Sequence, residues 1–216
     1  MNNHANAMII SRRAGFTVIE LMITVAIIAI LSTIAAPSMR DVIKNSRMTS
    51  LANDLMSDLS VARGEAVNRG VRTTVCTSSD GAQCTATEWR FGWIVLAEVD
   101  TGGTQGVVDL KDVIVKKSPK INGADETPPN RITTTNHTSA AGVQYVGFRP
   151  SGVTTPGGGD PTTTTIHFYL CDSRSADTPG VSAAEALNKG RHITVTGTGR
   201  AQVNRCTCST GLVCAP

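Results

Sequence analysis

A run of apolar side chains over residues 16–36, broken by Thr17, Glu20, Thr24, Ser32 and Thr33, limits what this chain can be more than any other feature. Its length is about that needed to cross a bilayer as a helix. Arg12 and Arg13 stand just before it, and basic residues on that flank hold an N-terminus on the cytoplasmic side, so the rest of the chain is expected outside. Glu20 is the anomaly, because a carboxylate within an apolar span costs roughly a few kcal/mol unless a cation pairs with it. A secretory signal peptide would supply the basic flank, the apolar core and a small-residue cut site near Thr33-Ile34-Ala35. Yet this core is long, and a cut after Ala36 would face Pro37. An ordinary signal anchor fits the length. Neither accounts for the acid.

The contiguous string Arg12-Arg13-Ala14-Gly15-Phe16-Thr17-Val18-Ile19-Glu20 resembles the signal of type IV prepilins and type II secretion pseudopilins. The resemblance implies that an inner-membrane prepilin peptidase cuts between Gly15 and Phe16 and N-methylates Phe16, and that Glu20 takes the fifth mature position. It divides the chain into a leader (1–15), a transmembrane helical part (16–36), an amphipathic helical part (37–69) and a periplasmic head (70–216). A buried carboxylate needs an opposite charge at its own depth, and the terminal amine of Phe16 on a neighbouring subunit supplies one. Glu20 would then set the stagger between subunits. Pro37 lacks the amide that the helical ladder needs, so a kink or local unwinding is expected there.

Beyond Pro37 the helical period continues through Met48, Leu51, Leu55, Leu59, Ala62 and Ala66, with Asn53, Asp54, Asp58, Arg63 and Glu65 expected on the surface. Asn68, Arg69 and Gly70 give a stop. One helix from Phe16 to about Arg69 would be roughly 80 Å long at 1.5 Å per residue. From Val71 the pattern changes to short β-branched and aromatic runs broken by Gly, Pro, Asp and Asn, which read as strands near 71–76, 89–99, 107–116, 131–135, 143–148, 162–171, 191–196 and 200–204. Gly197-Thr198 suggests a tight hairpin, and residues 118–130 and 149–161 read as loops.

The strings Leu59-Ser60-Val61-Ala62-Arg63-Gly64-Glu65-Ala66, the Trp89 to Trp93 run, Phe148-Arg149-Pro150-Ser151-Gly152 and Tyr169-Leu170-Cys171-Asp172 are similar, in that order, to the GspH/FimT family of minor pilins and pseudopilins. That family implies an α+β, pilin-like fold: a long N-terminal helix packed on a β-rich, sandwich-like head. It implies a low-abundance subunit at or near a filament tip. The partners implied are the prepilin peptidase, other minor and major pilins or pseudopilins, the inner-membrane assembly platform and the lipid bilayer. Cys171-Asp172-Ser173-Arg174 looks more like pilus-associated members than secretion-system members, so a pilus is favoured over a type II secretion pseudopilus.

Six cysteines, all downstream of the apolar run, suit an oxidising compartment and read as disulfides. Cys76 and Cys84 bracket Asp80-Gly81, so a local bridge closing a turn is expected. For the remainder, Cys171 with Cys206 and Cys208 with Cys214 would clip two neighbouring strands and a tail loop, within 15 possible pairings. Zinc at Cys206-x-Cys208 is the alternative, but that spacing is no recognised finger pattern.

Catalysis has no visible apparatus: His4, His137, His167 and His192 are scattered, and no serine has a nucleophile-elbow context. No cofactor is implied. Gly157-Gly158-Gly159 and Gly197-Thr198-Gly199 lack the Lys-Ser/Thr or helix of a phosphate loop and read as turns. Net charge is +3, and loss of Arg12 and Arg13 with the leader brings the 20 basic side chains close to the 17 acidic ones, so global charge names no partner. Locally, Lys189, Arg191, Arg200 and Arg205 follow Glu185 with no acid among them. Such a patch could neutralise DNA phosphates without reading sequence. Some FimT members resemble this chain in carrying a Gly-Arg-x-Arg DNA-binding motif there, but Gly199-Arg200-Ala201-Gln202 lacks the second charge. The competing reading is a solvated basic edge that resists strand-to-strand aggregation.

Overall fold

The computed structural model describes residues 15–84, 88–99, 107–118, 120–121, 131–136, 145–156, 165–174 and 188–208; the side chains of 34–38, 131, 133–136 and 156 lie outside that set. By internal contacts the chain divides into two compact units, Met1–Ile43 and Lys44–Pro216.

One helix, α1 (Val18–Arg69), runs through both units. Its start is capped by a side chain: Thr17 Oγ1 accepts the Glu20 amide at 3.2 Å, and Glu20 is the acid of the first turn. Within the first unit every described side chain from 15 to 33 is exposed. The hydroxyls in this stretch turn back onto the helix, Thr24 Oγ1 to Leu21 O at 2.8 Å, Ser32 Oγ to Ile28 O at 2.7 Å and Thr33 Oγ1 to Ile30 O at 2.7 Å. Polar atoms satisfied in this way are compatible with an apolar surrounding. Among the described residues no helix is long and apolar enough to cross a membrane. The expected span reaches Ala36, and so extends into side chains outside the described set. Of the kink or local unwinding expected at Pro37, unwinding does not occur: α1 runs unbroken through it. Proline removes only its own amide from the ladder, and the bonds on either side carry the helix across.

In the second unit α1 ends as its residues demand: Gly70 adopts φ +66° and donates to Ala66 O at 3.1 Å, the left-handed stop that a side chain resists. The helix buries Met48, Ala52, Leu55, Leu59, Ala62 and Ala66, each at 1% exposure or less, while Leu51 is only partly buried. These pack with residues of two antiparallel sheets. One sheet holds β1 (Arg72–Thr77), β2 (Trp93–Glu98), β3 (Val113–Ser118), β5 (Tyr145–Phe148) and β6 (Thr154–Pro156) in the order β3-β2-β1-β5-β6. The other holds β4 (Arg131–Asn136), β7 (Ile166–Cys171), β8 (Gly190–Val195) and β9 (Ala201–Cys206) in the order β4-β7-β8-β9. Val75, Trp93, Val95, Val146 and Phe148 face the core from the first sheet, and Ile132, Ile166, Phe168, Leu170, Ile193 and Val195 from the second. In β7 and β8 burial alternates with period two, so one face is core and the other is not.

Three departures from the expected strands have local causes. Trp89–Phe91 is a 3-10 turn and not the start of β2, because Gly92 at φ +111° breaks the extended run and lets Trp89 meet Phe168 edge-on at 5.1 Å. Residues 107–112 are not strand: Asp112 accepts the amides of Val99 at 2.9 Å and Asp109 at 2.8 Å, closing a turn before β3. Part of the expected 149–161 loop is the short edge strand β6, where Pro156 is tolerated as it would not be in a central strand.

Candidate functional site

At the N-terminal end the structure places Phe16 85% exposed, directly before the Thr17 cap and one helical turn from Glu20. A side chain at Gly15 would meet nothing within 4 Å, so nothing in the described fold demands glycine there. The Thr17 cap is a residue that the apolar-run reading passed over, although Thr-x-x-Glu before an apolar run is its signature.

In the head, Asp58 overturns the expectation of a surface position. It is fully buried and accepts from Trp93 Nε1 at 2.8 Å and Ser118 Oγ at 2.6 Å, with the Lys116 ammonium as its ionic partner. The three donors come from β2 and β3, so one helical carboxylate ties α1 to the first sheet. A buried carboxylate is tolerated because it is fully hydrogen-bonded and neutralised. Glu98 is held similarly, by Arg72 and by Thr74 Oγ1 at 2.6 Å, and the Arg174 guanidinium grips the buried Asp172 with Nε at 3.0 Å from Oδ2.

Cys76 and Cys84 are bonded as expected, across Cα atoms 5.5 Å apart. Within that loop Asp80 accepts the amides of Ala82 at 2.8 Å and Gln83 at 3.1 Å, and these bonds, with one from Ser78, hold its carboxyl below the usual value. Neither the Cys171 to Cys206 bond nor the Cys208 to Cys214 bond that was expected is formed: Cys171 pairs with Cys208, Cα atoms 6.0 Å apart. The strand order explains the correction. β8 lies between β7 and β9, so Cys206, opposite Gly190, is two strand spacings from β7, about 10 Å, beyond the reach of a disulfide. The chain continues past β9, and Cys208 crosses back over Gly190, whose added Cβ would lie 2.5 Å from Cys208 Sγ. Glycine is required by this crossing. Cys206 is also disulfide-bonded, and Cys214 lies outside the described residues.

The basic residues do not form one edge. Arg191 is buried, 6% exposed, with Nη1 donating to Gly190 O at 2.9 Å and Nη2 to Thr49 Oγ1 at 3.0 Å. It is therefore not presented to a DNA backbone as expected. Arg200 and Arg205 are exposed but lie at opposite ends of β9. Gly199 has a structural use instead: at φ +79° it ends the β8–β9 turn, and a Cβ there would come 2.3 Å from Gly152 O. The 149–153 turn packs on it, with Thr154 N donating to Gly197 O at 3.0 Å and Arg63 Nε to Gly152 O at 3.2 Å. The turn at 197–199 is thus a connector, closed by Thr196 N to Arg200 O at 2.9 Å and Gly199 N to Thr196 O at 2.8 Å.

His167 and His192, taken as scattered, meet on the outer face of the second sheet, Nδ1 to Nε2 at 2.8 Å, with Tyr169 stacked 4.8 Å from His192. Pairing of Tyr169 with His192 and of His167 with Thr194 makes the two histidines diagonal neighbours. Burial alone lowers the His192 pKa from 6.5. His137, Arg12, Arg13 and Gly157-Gly158-Gly159 lie outside the described residues.

Among curated protein sequences none matches this chain. Solved structures similar to it include the type IV minor pilin FimU of Pseudomonas aeruginosa, at 17% identity over 74% of this chain and 89% of that one with a TM-score of 0.47. Another is the minor pseudopilin EpsH from the type 2 secretion system of Vibrio cholerae, at 11% identity over 74% and 97% with a TM-score of 0.41. The prokaryotic N-terminal methylation motif matches residues 10–36. The family model for the type II transport protein GspH matches residues 51–199, well over half of the chain, and by that match the chain belongs to the GspH family.

Proposed function

We propose that this chain is a minor pilin: a filament subunit cut between Gly15 and Phe16, methylated on Phe16, held in the bacterial inner membrane by residues 16–36 with its head in the periplasm, and assembled through Glu20 into a type IV pilus. The observation that carries this reading is the succession, on one chain, of an N-terminal methylation motif and a GspH head. The exposed apolar surface of residues 16–33 supports it, since such a surface needs lipid or neighbouring helices around it. Gly15 supports it too, because a glycine that the fold does not need fits recognition by a peptidase. The choice of a pilus rests on the Cys171-Asp172-Ser173-Arg174 string, whose Asp172 and Arg174 form the buried pair. A second reading, a pseudopilin of a type II secretion system, is favoured by the description of the family as a type II transport protein. A DNA-capture role loses Arg191 and is left with Lys189, Arg200 and Arg205.

The test separates processing from assembly. Glu20→Leu should be cut normally but recovered in sheared filaments at about a tenth of the wild-type level or less, as expected if an unpaired terminal amine must then be buried. Normal recovery would remove the charge-pair role.

A further inference from the structure

Between the first turns of the head's helix and the region where β8 begins and β9 ends lies a groove of about 580 Å³. Its helical wall is made of short neutral polar side chains, Asn45, Ser46, Thr49, Ser50 and Asn53. Its other wall is positive. Arg191 is held by neutral partners: its guanidinium donates to main-chain carbonyls and to Thr49 Oγ1, whose own proton goes to Asn45 O at 2.9 Å. Arg205 is its cross-strand partner on β9, exposed, and without an ion pair among the described residues. Asp172, the acid whose field reaches Arg191, is already committed to Arg174. The Arg191 pKa is lowered by burial first and then by Arg205 and Arg174, with Asp172 opposing. Two cations held side by side at the rim of a partly desolvated site leave a strong field for an anion.

We propose that this groove binds the carboxylate of an Asp or Glu side chain projecting from a neighbouring filament subunit, clasped between Arg191 and Arg205. The inference rests on the filament reading above. The lining has no aromatic ring on which a base could stack and no large apolar side chain to hold an acyl chain. A duplex phosphate cannot reach a guanidinium only 6% exposed, whereas a slender side chain can. A planar fork fixed by Thr49 is suited to a carboxylate's two oxygens.

The mature full chain in detergent micelles, labelled with 15N at arginine, is titrated with glutarate, with dimethyl glutarate as the uncharged control. Expected are saturable shifts of the Arg191 and Arg205 Nε–H signals with glutarate only. Arg205→Gln should weaken binding about tenfold and Arg205→Glu abolish it. Arg191→Lys, which keeps the buried charge, should also weaken it about tenfold. In cells, a photo-crosslinker at Asn53 should capture another filament subunit, and Arg205→Glu should lower that yield about fivefold or more. Absence of a saturable glutarate response, or an equal response to the ester, would overturn the proposal. So would a tighter response to phosphatidylglycerol in mixed micelles, which would make the groove a headgroup site. Binding that emerges only in Asp177→Asn or Glu185→Gln would mean that the chain fills its own groove. The titration reads the isolated chain, so its failure leaves the filament reading intact. Failure of the Glu20→Leu test strikes that reading and not the groove's affinity for carboxylate.

Discussion

The two units solve the same problem in opposite ways. Residues 18–33 and the stripe from Met48 to Ala66 are both helical and apolar, yet the first is exposed at every described position while the second, apart from the partly buried Leu51, is at 1% exposure or less. The head's stripe is complete because two sheets of the same chain cover it. The N-terminal stretch has no such cover from the described residues of its own unit, and its hydroxyls at Thr24, Ser32 and Thr33 are nonetheless satisfied by helix carbonyls, which leaves the Glu20 carboxylate for a partner outside the chain. An apolar surface with internally satisfied polar groups is built for a surrounding that the chain does not itself supply. The head, conversely, can afford a buried carboxylate because its own donors reach it.

If this division is right, substitutions in the head's interior should act on stability and substitutions near the N-terminus on assembly. The largest stability effect belongs to Cys171→Ala with Cys208→Ala. Opening a bridge across a sequence separation of 37 should cost about 4 kcal/mol by the loop-closure estimate, read as a drop in Tm by circular dichroism. A loss below about 1 kcal/mol would show that β7, β8 and the segment after β9 are held without it. Next comes Asp58→Ala, which strands Trp93 Nε1, Ser118 Oγ and a half-exposed lysine; about 3 kcal/mol is expected in urea denaturation, while processing of the chain stays normal. Lost processing with an intact head would break the division from the other side.

The smallest effect is a pH dependence. His192 has its pKa lowered by burial, so the folded head favours the neutral ring. Its contribution is present above the unfolded value of 6.5 and is lost as pH falls through the lower folded value. Because the ring is only half-buried and lies within hydrogen-bond distance of His167, a few tenths of a kcal/mol is expected, seen as a lower urea midpoint at acid pH that His192→Gln flattens. A midpoint that rises on acidification would contradict the sign.

Much of this was legible in the residues because it follows from period and local chemistry. Met48, Leu55, Leu59, Ala62 and Ala66 read as one helical face, Gly70 as a stop, and Cys76 and Cys84 as a local bridge; all stand in the structure. What escaped depends on partners far away in sequence. Asp58 looks like a surface acid until Trp93 and Ser118 are brought to it from β2 and β3. The pairing of Cys171 with Cys208 follows from β8 lying between β7 and β9, an order that spacing does not encode. Arg191 reads as one of several basic residues on an edge, and only its packing on Thr49 separates it from Arg200.

The central claim is that Met1 to Gly15 is a leader and that the working subunit begins at Phe16. Intact-mass and N-terminal peptide mass spectrometry of the membrane-extracted chain tests it most directly. The account predicts a single mature species starting at N-methylated Phe16, and its replacement by the uncut chain in Gly15→Val. A mature N-terminus near Ser38, or a wild-type chain that keeps its first residues in assembled filaments, would contradict it.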